Sequence, residues 1–260
     1  MLKNLREKIS ANKALCSSIK RVIVLDKIDS TNSYAQSLDN PNDSTVVIAN
    51  CQTNGRGRDN REWKSFEDKN ISISIILDYP RDKNHLGLLS ILSANSIVEA
   101  LEELDIKPQV KWPNDVLVGQ KKISGILSES SFKNNKSTSI IIGVGINVNC
   151  NSDDFSVDNF EYRLEPTSIL LESGNFIERE DFIVRFLAFY FKWLKEFKSR
   201  NYNKIIDFWK SKWGDSGKEI SIISNRKKIS GIMIDINKNG ELILDVAGHM
   251  EVVNSGEILV

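Results

Sequence analysis

Lys111-Trp112-Pro113-Asn114-Asp115, followed by Lys121-Lys122-Ile123-Ser124-Gly125-Ile126, is the stretch on which the fold turns. Pro113 fixes a turn after a strand, Val110 to Trp112. Asn114 and Asp115 are then presented where that strand ends. Val116 to Val118 and Lys122 to Glu129 read as two further strands, with Gly119-Gln120 as a hairpin turn. Asp115 suits a magnesium ion shared with phosphates, or the ordering of a neighbouring arginine. Lys122 sets a point charge at the start of a rigid strand, which suits charge developing at phosphorus. A turn with two exposed lysines is the commoner origin of such a pair, so both readings stand at this point. Gly125 inside a strand marks a bulge or a ligand pressed near the backbone.

Towards the N-terminus, Arg21 to Leu25 (RVIVL) reads as a buried strand. Asp29-Ser30-Thr31-Asn32 is a helix N-cap cluster, with a helix from about Ser33 to Leu38. Val46 to Ala49 is a second strand and runs into the polar segment Asn50 to Arg61. Ile71, Ile73 and Ile75 alternate with serines, so Asn70 to Leu77 is a third. Leu86 to Leu104 carries apolar residues at helical spacing with a wide face, as a well-buried helix requires.

Towards the C-terminus, Ser139 to Val148 (SIIIGVGINV) is a core strand interrupted by Gly143 and Gly145. Asn149 to Thr167 is polar and acidic and reads as a loop. Glu180 to Phe197 is an amphipathic helix whose aromatic stripe suits core packing. A shorter helix follows from Tyr202 to Lys212. Glu219 to Val260 holds short β segments around the turn Asn237-Lys238-Asn239-Gly240, the pattern of a small β-barrel. At roughly 45 residues such a unit is marginal alone and should dock on the main body. The expected division is therefore residues 1–213 and 214–260.

Composition narrows the function classes. Lys+Arg and Asp+Glu are both 35, so the chain lacks the basic excess of a protein that grips duplex DNA by its phosphates. Cys16, Cys51 and Cys150 are far apart and form no C-x-x-C, which argues against a disulfide framework or zinc site and for a reducing compartment. His85 and His249 are the two histidines, too few for a His-based triad or multi-His metal site; both read as surface or capping residues. No secretory h-region and no apolar run of about 18 residues is present. The polar chemistry is left to Lys, Arg, Asn and Asp.

Three more segments can carry that chemistry. Gly55-Arg56-Gly57-Arg58-Asp59-Asn60-Arg61-Glu62-Trp63 alternates glycine with arginine. Glycine lets amides approach an anion, and arginine offers a planar fork of donors for phosphate or carboxylate. It is neither a Walker A loop nor a dinucleotide fingerprint, since Asn60 stands where a third glycine belongs. Trp63 can stack on a base or fill the core. Gly143-Val144-Gly145-Ile146-Asn147 leaves space on one face of a strand and offers an amide to a nucleobase edge, although tight sheet packing needs the same glycines. Ser30-Thr31-Asn32 with Gln52 can cap a helix or bind a small urea-like or amide-like head.

Together and in this order, these segments resemble the biotin–protein ligases. The resemblance rests on D-S-T-N, Q-x-x-G-R-G-R-x-x-R-x-W, K-W-P-N-D, K-[hydrophobic]-x-G-I-L-x-E and G-x-G-I-N, over residues 21–150. Gly231-Ile232 and Ser255-Gly256-Glu257-Ile258 resemble that family's small C-terminal barrel less specifically.

The family implies an α+β chain: a central mixed sheet with packed helices, of the class II synthetase-like biotin/lipoate ligase fold, plus an SH3-like barrel. It implies ATP, Mg²⁺ and biotin, with biotinyl-5′-AMP held until transfer to a biotin carboxyl carrier protein or domain. By the same resemblance Ser30, Thr31, Asn32 and Gln52 contact the biotin head. Gly55, Arg56, Gly57 and Arg58 belong to a loop closing over biotin and its activated carboxylate. Arg58 and Arg61 serve the phosphates, Trp63 the adenine side, and Asn114 and Asp115 the nucleotide. Lys122 binds carboxylate and α-phosphate and is, with Arg58, the catalytic candidate. Gly125 and Asn147 line the pocket, and no protein-held metal site is assigned.

The family loop reads G-R-G-R-x-G-R-x-W, and Asn60 replaces its third glycine; asparagine tolerates a left-handed backbone better than most residues. Some bacterial relatives carry an N-terminal DNA-binding domain. About 20 residues before the first strand are too few for one, so the expectation is a monofunctional, cytoplasmic ligase without nucleic-acid or membrane partners, homodimerisation being left open. The nearest rival is a lipoate–protein ligase or related acyltransferase. A non-catalytic nucleic-acid module is the rival from another class, and zero net charge disfavours it.

Overall fold

Patterned strands and amphipathic helices assemble here around one seven-stranded sheet. The computed structural model describes residues 2–39, 43–78, 85–133, 136–156, 162–224 and 227–259. Strands are β1 (Arg21–Ile28), β2 (Thr45–Gln52), the short β3 (Gly55–Arg56) and β4 (Glu62–Trp63), β5 (Asn70–Asp78), β6 (Pro108–Lys111), β7 (Asp115–Val118), β8 (Lys121–Lys133) and β9 (Lys136–Asn147). The large sheet runs β1-β2-β5-β9-β8-β7-β6. Only β1 and β2 are parallel; the other neighbours are antiparallel, so the sheet is mixed as expected.

Helices are α1 (Leu5–Ala11), α2 (Lys13–Ser18), α3 (Thr31–Ser37), α4 (Gly87–Glu102), α5 (Ser152–Phe155), α6 (Ile169–Ser173), α7 (Arg179–Lys198) and α8 (Tyr202–Ser211). Because side chains alternate along a strand, the two faces separate cleanly. Val46, Ile48, Ile71, Ile73, Ile75, Ile140 and Ile142 join α4 and α7 in the main core, while Val47, Ile76 and Ile141 face α3. Ser74, Gly143 and Gly145 lie on the α3 face. Beyond that apolar cluster the face turns polar and small, and it is there that the site forms.

Two expectations change, and the first 20 residues add structure that no pattern announced. β1 is an edge strand and only Ile23 in it is buried, so RVIVL is not a buried strand. The first 20 residues hold α1 and α2, whose Leu5, Ile9 and Leu15 enter the main core. The segment 149–167, read as loop, contains α5 with an Asn151/Asp154 capping box; four residues are too few to show helical periodicity. Residues 157–161 of it lie outside the described residues.

The remaining strands β10 (Glu219–Ser224), β11 (Lys227–Ile236), β12 (Leu242–Val246), β13 (His249–Val253) and β14 (Glu257–Leu259) form an antiparallel sheet, order β13-β12-β11-β10-β14, consistent with a small SH3-like domain. Its 237–240 turn docks beside the decisive stretch: Trp112 Nε1 donates to Gly240 O at 3.1 Å, across from the cis Trp112–Pro113 bond. His85 is more than a surface residue. Its ring lies 4.0 Å from that of Tyr202 and its Nδ1 is 3.2 Å from Lys238 O. His249, by contrast, is exposed at the start of β13.

Arg179, at the start of α7, is buried (7% exposed) and ties this helix to the sheet. It donates to Asn70 O, Asn50 Oδ1 and Asp68 Oδ1 at 3.0, 2.6 and 2.6 Å. Burial pulls its guanidinium down, and Asp68 opposes that. Arg179→Ala strands those acceptors, so a loss of about 3 kcal/mol is expected. Thermal unfolding should then begin roughly 6–12 °C earlier; an unchanged midpoint in scanning calorimetry would disprove the assignment.

Candidate functional site

The α3 face of the sheet opens into a cavity of about 360 Å³. Every residue expected at the site lines it except Gly55: Ser30, Thr31, Asn32, Gln52, Arg56, Gly57, Arg58, Arg61, Trp63, Asn114, Asp115, Lys122, Gly125 and Asn147 all do. Gly55 instead lies under the backbone, where a Cβ would stand 2.4 Å from Trp63 O.

At one end α3 begins. Ser30 caps it by accepting from Ser33 N, so the capping role is real. Thr31 and Asn32 face inward and are buried. Gln52 Oε1 accepts from Thr31 N at 2.8 Å and Thr31 Oγ1 at 3.0 Å. Ser74 Oγ lies 2.7 Å from Thr31 Oγ1 and 2.6 Å from Asn32 Oδ1. Gly143 makes room for this cluster, since a Cβ there would lie 2.4 Å from Asn32 Oδ1.

At the other end β7 and β8 bring charge together. Lys122 Nζ pairs with Asp115 Oδ1 at 2.6 Å, and both are partly buried. The Lys122 backbone is held on its outer edge by Glu165 O and Thr167 N at 2.7 and 2.9 Å, so its stem is fixed in place. Asn114 donates from Nδ2 to Ile126 O at 2.7 Å and receives Arg58 Nη1 at 3.4 Å. Burial pushes the Lys111 ammonium below the ordinary lysine range, while Asp215 and Asp115 hold it up.

Between the ends, Trp63 lies flat on bare backbone. A Cβ on Gly145 would stand 2.3 Å from its ring, and one on Gly125 3.3 Å. Lys122 Nζ is 5.8 Å from the ring centroid. Trp63 Nε1 is buried with no hydrogen-bond partner among the described residues. Asn147 also lines the cavity, but its amide is engaged within the protein: Oδ1 receives Asn70 Nδ2 at 2.8 Å and Nδ2 donates to Thr167 O at 2.9 Å. In the Arg-Gly loop, Gly57 N donates to Arg61 O at 2.7 Å, and Arg61 folds back onto Arg58 O and Asp59. The left-handed residue of this turn is Asp59 (φ 55°, ψ 42°), one position before Asn60.

Sequence reasoning missed several lining residues. Phe66, Phe155 and Tyr162 form an edge-to-face aromatic chain at 6.0 and 6.1 Å, and Gly256 and Ile258 arrive from the small sheet. Phe155 and Tyr162 sat in a segment without periodicity. Lys111, inside the decisive motif, lines the cavity as well as Lys122. The buried thiols Cys51 and Cys150 do not line the cavity, and burial pushes Cys150 up to about 12. Among the described residues no three His, Cys, Asp or Glu side chains cluster as a metal site, and no helix is long and apolar enough to cross a membrane.

The chain belongs to the biotin/lipoate A/B protein ligase family, whose model matches residues 24–147. Its relatives narrow this to the biotin protein ligases, and residues 215–260 match the biotin protein ligase C-terminal domain. The chain is 33% identical over 244 residues to the bifunctional ligase/repressor BirA of Bacillus spizizenii, covering 92% of this chain and 74% of that one. It is 28% identical over 240 residues to the biotin–[acetyl-CoA-carboxylase] ligase of Paracoccus denitrificans, covering 90% and 98%. The biotin protein ligase of Aquifex aeolicus in complex with biotin and ATP superposes with a TM-score of 0.80 at 29% identity, over 92% and 98% of the two chains.

Proposed function

We propose that this chain joins biotin to ATP as biotinyl-5′-AMP and passes the biotin to a specific lysine of a biotin carboxyl carrier protein or domain. One observation carries the assignment: a single cavity joins a buried amide-and-hydroxyl pocket, Thr31, Asn32 and Gln52, to the cationic end at Lys122 and Arg58. The first suits an uncharged ureido head. The second suits a carboxylate meeting a triphosphate.

In the first step a biotin carboxylate oxygen attacks the α-phosphorus and pyrophosphate leaves. Both reactants are anionic, and Lys122 and Arg58 offset their repulsion and hold them in line. Asp115 holds Lys122, and Asn114 orients Arg58. Arg61 serves the leaving phosphates and Trp63 the adenine side; Gly125 and Gly145 give the ring its seat. The Gly55–Trp63 loop shields the mixed anhydride from water. In the second step the carrier lysine's amine attacks the acyl carbon, AMP departs and the amine loses its proton. No enzyme nucleophile is needed.

Mg²⁺ suits this donor set as an ion brought by the nucleotide. Asp115 is a carboxylate at the cationic end, and magnesium binds through one or two carboxylates plus phosphates. When bound it neutralises phosphate charge. Residues 1–213 form the catalytic domain and 214–260 the accessory one. The chain acts in the cytoplasm, and the names of its relatives make the carrier domain of an acetyl-CoA carboxylase the first partner to try.

The test is incubation with ATP, Mg²⁺, biotin and such a carrier domain, with lipoate as control because the family model spans both acids. Mass spectrometry should show biotin-dependent modification of the carrier and none with lipoate. Lipoyl transfer in place of biotinyl transfer would overturn the assignment.

A further inference from the structure

One acidic side chain joins the α3 end of the cavity to the Arg-Gly loop without lining the cavity. Glu129 lies in β8, in the position that ends the G-I-L-x-E run. Its Oε2 accepts from Asn32 Nδ2 at 2.7 Å and from Arg56 Nη2 at 2.9 Å. The same Asn32 nitrogen lies 3.4 Å from Leu127 O. A carboxylate and a carbonyl can only accept, so this side of the Asn32 amide must be its NH₂. Its oxygen is thereby turned towards Ser74 Oγ and the space above Gly143. Asparagine is a symmetric shape with two opposite ends, and Glu129 decides which end faces the pocket.

The link to Arg56 has a different value. Both side chains are partly exposed, 38% and 23%, so the ion pair contributes little stability by itself. Its consequence is geometric: it tethers the first arginine of the Gly55–Trp63 loop to the strand that carries Lys122.

Resting on the biotin reading above, we propose that Glu129 is a positioning residue for biotin. One carboxylate oxygen sets the polarity of Asn32 for the ureido head and tethers Arg56, so head recognition and loop seating are coupled. Glu129 touches neither substrate.

The test uses Glu129→Gln, Glu129→Ala, Asn32→Ala and the double variant Glu129→Ala/Asn32→Ala, with three readouts: biotin Kd by calorimetry, ATP KM, and the release rate of biotinyl-AMP. Glutamine keeps an acceptor oxygen for Asn32 but no charge for Arg56. Glu129→Gln should bind biotin within about threefold of the parent, yet release biotinyl-AMP about tenfold faster. Glu129→Ala should raise biotin Kd by about tenfold to a hundredfold with ATP KM unchanged. Added to Asn32→Ala it should raise biotin Kd no further, because for head recognition the two act as one unit.

Additive losses in biotin Kd, parental biotin affinity in Glu129→Ala, or an equal rise in ATP KM would each overturn the proposal. If the parent protein itself neither binds biotin nor forms the adenylate, the biotin reading falls and this inference with it. If the parent does both and the Glu129 variants match it, only the inference falls.

Discussion

Lys122→Ala is expected to lower the rate of biotinyl-AMP formation by about 10²–10³-fold, the usual effect of removing one preorganised charge from a developing oxyanion. Lys122 stands at the start of β8; its backbone bonds Glu165 and Thr167, and its ammonium pairs with Asp115. In the proposed mechanism its backbone is already held when the carboxylate and the α-phosphate arrive. Its loss also leaves Asp115 unpaired beside an incoming triphosphate, so repulsion adds to the missing attraction. Single-turnover formation of the adenylate, followed by radiolabelled ATP, reads this step without the carrier. Lys122 has part of its side chain in solvent, so the thermal midpoint should move by only a few degrees. A rate within fivefold of the parent would remove Lys122 from the chemistry.

Gly143→Ala should abolish measurable biotin binding while leaving the sheet intact. The new Cβ would stand 2.4 Å from Asn32 Oδ1 and 2.9 Å from its Cγ. Asn32 cannot swing aside cheaply, since Glu129 and Leu127 hold its nitrogen. The start of α3 must shift instead, taking Thr31 and its bonds to Gln52 with it. Overpacking of this kind costs about 1–3 kcal/mol in a packed interior, and the strain falls on the pocket. Calorimetry should show biotin Kd raised at least a hundredfold with ATP binding kept. Normal biotin affinity would mean that biotin binds elsewhere.

How far the molecule is legible in its residues depends on length scale. Long periodic segments such as α4 and α7 declare themselves, because many turns repeat one spacing. β5 was readable as a strand, yet its serines are buried, and Ser74 bonds Thr31 and Asn32 of α3; which element covers the second face is a long-range fact. α5 spans one turn and could not announce itself. The site residues were legible as types at spacings, and the fold gathers nearly all of them into one cavity. What stayed hidden was how they are spent. Asn147 uses its amide on Asn70 and Thr167, and the left-handed backbone falls on Asp59, because both depend on partners far along the chain or on the local path of a turn.

The contribution of β14 to the cavity has a consequence during synthesis. Ile258, and Gly256 just before the strand, form part of its wall, whereas Thr31, Asn32 and Lys122 leave the ribosome long before them. A nascent chain thus displays every reactive contact behind an unfinished enclosure. Until β14 has emerged and paired with β10, any acyl-adenylate made there would stand open to water and to bystander amines. The order of translation thereby places the last wall of the reaction chamber after all of its chemistry.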